Sequence, residues 1–192
     1  MCMRGFKKFD SRGFTLIELM IVVAIVGVLA ALAIYGVRKY LLNSKTTEAR
    51  NAVGQMAKDA KAAYERESMK SDILAGGSSA GVSNNLCTSA TNSVPASADS
   101  IKGKKYQSAA SEWGVDAATP GKGFGCLRFS ISDPQYYMYS YVGSSGAAGT
   151  FAATGQGDLN GDGALSEFTL KGEVRSGVVI VAPNFTEVNP EE

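Results

Sequence analysis

Residues 14–37 read FTLIELMIVVAIVGVLAALAIYGV, and this stretch decides the fold of the N-terminal part of the chain. Twenty of its 24 residues are apolar, and the exceptions are Thr15, Glu18, Gly27 and Gly36. A helix of this length measures roughly 36 Å, which is enough to cross a hydrocarbon core of about 30 Å. We therefore predict a helix that is inserted in a membrane for at least part of the life of the protein.

Basic residues flank this stretch on both sides. Residues 1–13 have a net charge of +3, from Arg4, Lys7, Lys8 and Arg12 against Asp10. Four more basic residues follow the stretch, and these are Arg38, Lys39, Lys45 and Arg50. Because the two sides carry equal numbers of Lys and Arg, the positive-inside rule does not predict the orientation of the helix.

The composition of the whole chain excludes several classes of protein. The 192 residues have a net charge of +1, which argues against nucleic acid as the main partner, and no nucleic-acid site is seen. There is no histidine, which rules out imidazole-based triads and metal sites, and three cysteines cannot form a four-cysteine zinc site. The sequence contains no P-loop, dinucleotide or Gly-x-Ser-x-Gly motif. We therefore expect a protein that is not an enzyme and requires no cofactor.

The sequence RGFTLIEL at residues 12–19 resembles the class III leader of type IV pilins and related pseudopilins. The apolar continuation to Ala31 is similar to the same family. The resemblance implies that a prepilin peptidase cleaves between Gly13 and Phe14 and that the new amine of Phe14 is methylated. It also implies that the apolar helix remains attached and becomes the core of a filament.

Glu18 lies one helical turn after Phe14 on the same face of the predicted helix. A carboxylate in an apolar helix needs a positive partner. The Phe14 amine of an adjacent subunit would supply this charge and would place each incoming subunit in axial register. The alternative is that Glu18 only favours the positive N-terminal end of its own helix.

Residues 38–68 continue the helix with an amphipathic pattern. Small and apolar residues recur at spacings of three and four, at Ala49, Ala52, Val53, Met56, Ala57, Ala60, Ala63 and Tyr64. No proline interrupts residues 14–68, so we predict one long helix. The family usually has proline where this chain has Tyr35, which leaves only Gly36 to soften the helix there.

The remainder of the chain predicts a loop followed by short strands. Residues 69–124 form a connecting region that is rich in small and polar residues, and residues 125–192 form an antiparallel sheet. The candidate strands are 125–132, 135–142, 149–154, 165–171 and 174–181. The expected architecture is α+β, the pilin fold, in which the second half of a long helix packs on a small antiparallel sheet.

Removal of the leader implied by the resemblance takes Cys2 away and leaves Cys87 and Cys126 as an even pair. A disulfide between them closes about 40 residues and stabilises the fold by roughly 3–4 kcal/mol in the loop-entropy model. It would tie the small-residue loop to the first strand. The alternative is two free buried thiols.

The sequence DLNGDG at residues 158–163 resembles the first half of a calcium-binding EF-hand loop. Candidate ligands are Asp158, Asn160, Asp162 and Glu167, with a main-chain carbonyl near Ala164. Position twelve is Thr169 instead of Glu, so the loop is not an EF-hand. The alternative is a hairpin loop rich in turn-forming residues.

The leading hypothesis is the major subunit of a type IV pilus, made as a single-pass inner-membrane precursor and then displayed on the cell surface. The resemblance implies polymerisation through N-terminal helices, and as partners a prepilin peptidase, an inner-membrane platform with an ATPase motor, and an outer-membrane secretin. A type II secretion pseudopilin or a minor pilin is the nearest alternative. A membrane-anchored or secreted binding module, cut after Ala33, is the alternative from a different class.

Overall fold

The structure is a computed structural model, and it describes residues 13–66, 68–69, 76–77, 82–146 and 148–190. The predicted leader therefore lies outside the described residues apart from Gly13, as does part of the predicted loop. The chain divides into two compact units, residues 1–40 and residues 41–192. We call residues 14–40 the stem and residues 41–192 the head.

Helix α1 runs without interruption over Leu16–Glu65. It contains no proline, and its helical backbone continues through Tyr35 and Gly36. The prediction of one long helix is confirmed. The last part of α1 belongs to the head, where it supplies one side of the core.

Between α1 and the main sheet the described chain has only short elements. Strands β1 (Ser68–Met69) and β2 (Val82–Ser83) pair antiparallel. A single turn of 3-10 helix follows at Ala98–Ser100, and then helices α2 (Ala110–Trp113) and α3 (Gly123–Leu127). The predicted strand at 125–132 is therefore wrong, since residues 125–127 are helical and residues 128–132 belong to no strand. Phe124 and Leu127 are buried at helical spacing, and Arg128 ends α3 in a left-handed conformation with φ of 62°.

The main sheet is antiparallel and has five strands. These are β3 (Met138–Gly143), β4 (Thr150–Gly157), β5 (Ser166–Arg175), β6 (Val178–Val181) and β7 (Thr186–Val188). The hydrogen-bonded order of the strands is β3-β4-β5-β6. Strand β5 also pairs with β7. The predicted α+β architecture, with a long helix and a small antiparallel sheet, is confirmed. The short strand β7 was not predicted, because all three of its residues are exposed and show no alternation.

The head core lies between one face of α1 and one face of the sheet. The buried face of α1 is the predicted one, with Thr46 added and Ala52 only half-buried. Tyr139, Tyr141 and Phe168 supply large buried side chains from the sheet. A Cβ atom at Gly155 would lie 3.2 Å from Val53, so glycine at this position allows α1 to approach β4 closely.

Two polar contacts also fix α1 to the sheet. Glu48 Oε1 accepts hydrogen bonds from the backbone N–H of Tyr136 at 2.9 Å and from the hydroxyl of Tyr139 at 3.2 Å. Arg50 donates to both carboxylate oxygens of Glu187 at 3.1 Å, which holds β7 against the helix. Burial raises the pKa of Glu48, and the hydrogen bonds from the two tyrosines oppose that rise.

Candidate functional site

The N-terminal end of α1 carries the residues that the sequence assigned to cleavage and assembly. Gly13, Phe14 and Thr15 lie before the helix and are not helical. Apart from Gly13 itself and its chain neighbours, no atom of the described residues lies within 4 Å of the position that a Cβ of Gly13 would take. The bond between Gly13 and Phe14 is therefore in an exposed, non-helical part of the chain.

Glu18 is held by Thr15 in a capping box. Glu18 Oε2 accepts from the Thr15 backbone N–H at 2.9 Å and from the Thr15 hydroxyl at 2.8 Å. The backbone N–H of Glu18 donates to Thr15 Oγ1 at 3.3 Å. This arrangement is the one expected if the carboxylate stabilises the N-terminus of its own helix. Pairing of Glu18 with the Phe14 amine of another subunit stays a prediction.

Sequence reasoning missed the part played by Thr15. The signal was available, since Thr-x-x-Glu directly before an apolar run is the pattern of a capping box. The hydrogen bonds to Thr15 set the start of α1 at Leu16 and leave Phe14 outside the helix. Thr15 thereby holds the Glu18 carboxylate at its own backbone N–H, one residue beyond Phe14.

The stem exposes an unbroken apolar surface. Every large apolar side chain from Phe14 to Tyr40 is exposed, with values from 54% at Ile25 to 88% at Phe14. By length and composition α1 is able to cross a membrane, and none of its apolar window is buried. A surface of this size is stable only in lipid or against other apolar surfaces.

Cys87 and Cys126 form the predicted disulfide, with their Cα atoms 5.8 Å apart. Backbone hydrogen bonds continue this link, since Thr88 N donates to Gly121 O at 2.9 Å and Gly123 N donates to Thr88 O at 3.0 Å. Arg66 donates to Cys126 O at 2.6 Å and joins the end of α1 to the same place. The disulfide therefore ties the loop to α3, and not to a first strand as predicted.

The loop at 158–164 is closed by its own side chains. Asp158 is buried, and its two carboxylate oxygens accept from Gly161 N at 2.6 Å and from Gly163 N at 2.9 Å. Asn160 Oδ1 accepts from Asp162 N at 2.8 Å, and Asp162 Oδ1 accepts from Ala164 N at 2.7 Å. These are the turn-stabilising bonds that Asp and Asn make in hairpin loops.

Glu167, the fourth candidate ligand, lies in β5. Its carboxylate accepts from Gln156 at 2.8 Å and from Thr169 at 3.1 Å. Across the part of the chain that the structure describes, no three or more Asp, Glu, Cys or His side chains are grouped so as to hold a metal ion. Calcium binding at this loop stays a prediction.

Comparison with known proteins supports the assignment of the N-terminal segment. Residues 8–34 match the family model of the prokaryotic N-terminal methylation motif. The chain is 53% identical over 45 residues to the type IV major fimbrial protein FimA of Dichelobacter nodosus, a match that covers 23% of this chain and 29% of FimA. It is 45% identical over 63 residues to the type IV major pilin protein PilA of Myxococcus xanthus (strain DK1622), covering 33% of this chain and 29% of PilA. The resemblance to type IV pilins is confirmed.

This similarity is confined to a part of each protein. The match to fimbrial protein Q of Moraxella bovis, 52% identical over 46 residues, covers 24% of this chain and 27% of that protein. The chain thus spans less than a third of the length of these type IV pilins and fimbrial proteins. No solved structure matches the chain.

Proposed function

We propose that this chain is the major structural subunit of a type IV pilus and that it polymerises through its N-terminal helix. One observation carries the proposal. A methylation motif is followed directly by a helix on which every large apolar side chain from Phe14 to Leu41 is exposed. Copies of this helix can bury that surface against one another once they leave the lipid.

The predicted cleavage site suits a membrane peptidase. Gly13 and Phe14 are exposed and lie outside α1, so no helical turn has to unwind before the bond between them is cut. Cleavage frees the amine of Phe14, which becomes the substrate for methylation. The resulting subunit retains the stem, which spans the inner membrane, while the head lies outside the cytoplasm.

Glu18 is the residue proposed to set the register of assembly. Two bonds to Thr15 hold its carboxylate at the end of the helix. In a filament the positively charged amine of Phe14 from a neighbouring subunit would replace or join these donors. A carboxylate buried among apolar stems is strongly destabilising unless such a charge reaches it, so only one axial position of the incoming subunit is favourable.

Transfer of the stem from the bilayer to the filament requires a motor. Burial of a large apolar side chain from water contributes about 1.5–3 kcal/mol, so bundling of the stems in water is favourable. In the bilayer the same side chains are already surrounded by lipid tails, and extraction therefore needs work. We assign this work to an ATP-driven inner-membrane platform and the exit route to an outer-membrane secretin.

The same stem is compatible with a pseudopilin of type II secretion, with a minor pilin, or with an anchored module cut after Ala33. A surface filament can serve twitching motility, adhesion or DNA uptake, and no residue of this chain selects among these roles. The two kinds of assembly are distinguished by what the cell builds, since a pilus extends from the surface and a pseudopilus does not.

The test is electron microscopy of filaments sheared from cells that express the wild-type chain, Glu18→Gln or Glu65→Gln. Glu65 is an exposed carboxylate on the same helix, near Lys61, and serves as the matched control. We expect filaments from the wild type and from Glu65→Gln. We expect a loss of more than about tenfold from Glu18→Gln, because a buried charge without its partner costs several kcal/mol. Equal filament numbers for all three, or no surface filaments from the wild type, would contradict the proposal.

A further inference from the structure

We propose that a cleft in the head binds a small organic anion through the guanidinium groups of Arg66 and Arg128. The ligand class is a carboxylate or phosphate group on a compact carbon skeleton, as in an acidic sugar. The cleft lies where the end of α1 meets α3, and Cys126 of the disulfide is part of its lining. The inference requires only the folded head, so it stands apart from the proposed function.

The cleft has the size of a small-molecule site. Its volume is about 430 Å³, within the range of about 300–1,000 Å³ that is typical of ligand pockets. Apolar wall is supplied by Ala63, Leu86 and Pro120. Because the volume exceeds that of a bare acid group, the cleft has room for a carbon skeleton that packs against this wall.

Arg66 is held in position by the helix that carries the disulfide. Its Nη2 donates to Cys126 O at 2.6 Å, and Cys126 is bonded to Cys87. Arg66 is half-buried, so its guanidinium group has a restricted position at the edge of the cleft. A guanidinium group has five N–H donors in one rigid plane. The bond to Cys126 O therefore leaves further donors for an anion.

Arg128 supplies the second positive charge from the residue that ends α3. Its backbone is left-handed, with φ of 62°, at a position where glycine is the preferred residue. Its side chain is exposed and lines the same cleft as Arg66. Guanidinium groups bind the oxygens of carboxylates and phosphates through charge-assisted hydrogen bonds, often in pairs. Two of them in one cleft therefore favour a ligand with such an acid group.

The charge of the cleft is not balanced by its own lining. Among the described residues, no Asp or Glu lines the cleft, and neither arginine forms an ion pair. Asp59 is influenced by the charge of Arg66, but its carboxylate accepts from Gln55 at 2.8 Å and does not line the cleft. Burial raises the pKa of Asp59, and the hydrogen bond from Gln55 and the charge of Arg66 oppose that rise. An anionic ligand would supply the missing negative charge.

The experiment measures binding of three sugars to the full chain in an uncharged detergent, by saturation-transfer difference NMR in a buffer without phosphate. Galacturonate carries a carboxylate, glucose 6-phosphate carries a phosphate, and galactose is neutral. The variants are Arg128→Gln, Arg66→Gln and, as matched control, Arg175→Gln. Arg175 is an exposed arginine of β5 that does not line the cleft. Thermal melting of each variant reports whether the head is folded.

We expect at least one of the two anions to bind and galactose not to bind. The dissociation constant of that anion should rise about tenfold in Arg128→Gln and in Arg66→Gln, because each substitution removes charge-assisted hydrogen bonds. It should be unchanged in Arg175→Gln, and high salt should weaken binding to the wild type. The tighter of the two anions identifies the acid group that the cleft prefers.

The decisive variant is Arg128→Gln, because loss of Arg66 also removes the bond to Cys126 O and lowers the stability of the head. Failure of both anions to bind, equal binding of galactose, or an unchanged dissociation constant in Arg128→Gln would overturn the proposal. None of these results depends on filament formation, so this experiment and the filament assay fail independently.

Discussion

Met20 and Met56 lie on the same helix, yet Met20 is 63% exposed and Met56 is completely buried. The difference distinguishes the stem from the head. In the stem, apolar residues surround the helix on all sides and none of the large ones is buried within the chain. In the head, apolar residues of α1 follow a helical spacing, and the face they form packs against the sheet. One helix thus exposes its apolar side chains in the first half and buries one face in the head core in the second.

The largest effect on the head is expected from loss of the disulfide. Cys87→Ser/Cys126→Ser should lower the free energy of unfolding of the head by about 4 kcal/mol, because the cross-link closes about 40 residues of the unfolded chain. Urea unfolding of the full chain in detergent measures this through Trp113, the only tryptophan. Cys2→Ser is the control. A loss below about 1 kcal/mol would mean that the disulfide does not organise the head.

The two methionines test the comparison directly. Met56→Ala should cost about 3 kcal/mol of head stability, since it leaves a cavity between α1 and the sheet. Met20→Ala should leave the same unfolding curve unchanged, because its side chain is exposed and does not belong to the core cluster of the head. Equal losses in the free energy of unfolding for the two substitutions would show that the boundary between stem and head is misplaced.

Calcium binding would stabilise the head and leave the stem unaffected. At a concentration ten times the dissociation constant, binding at the 158–164 loop should add about 1.4 kcal/mol of stability and raise the melting temperature by roughly 3–6 °C. Thermal melting with calcium and with chelator measures this effect, and Asp162→Asn should reduce it. An identical melting temperature with calcium and with chelator excludes the site.

Glu18 and Glu48 are both carboxylates on α1. Glu48 lies in the head and makes the stability of the head depend on pH. Burial raises the pKa of Glu48 above 4.5, so its contribution to stability is complete below that value and is lost as the pH rises through the raised pKa. Glu48→Gln keeps an oxygen for Tyr136 and Tyr139 and carries no charge. It should be more stable than the wild type at pH 7, with a smaller difference at pH 4. Urea unfolding at both values measures this, with Glu65→Gln as control, and a difference that grows at pH 4 would contradict it.

The stem was predictable because its signals are local. An apolar run of 24 residues, the Gly13–Phe14 pair and the position of Glu18 all lie within one short segment. The buried face of α1 was predictable for the same reason, since helical spacing of small residues is visible in sequence. Thr46 was missed because it is polar. Its buried hydroxyl has a hydrogen-bond partner, since it donates to Asn43 O at 2.8 Å.

The head was less predictable because its contacts join distant parts of the chain. Helix α3 was taken for a strand, since burial of Phe124 and Leu127 depends on Trp113, whose ring lies 4.9 Å from that of Phe124. Strand β7 carries no apolar alternation and is held by the ion pair from Arg50 to Glu187, 137 residues away. The contact of Glu48 with Tyr136 and Tyr139 likewise depends on how α1 packs on the sheet.

We propose that this chain is processed between Gly13 and Phe14 and keeps the stem for assembly. The mass of the mature N-terminal peptide, purified from cells that express the full chain, tests it most directly. We predict a peptide that begins at Phe14 and carries one methyl group on its amine. A peptide that begins at Ile34, or one that retains Met1, would contradict the account.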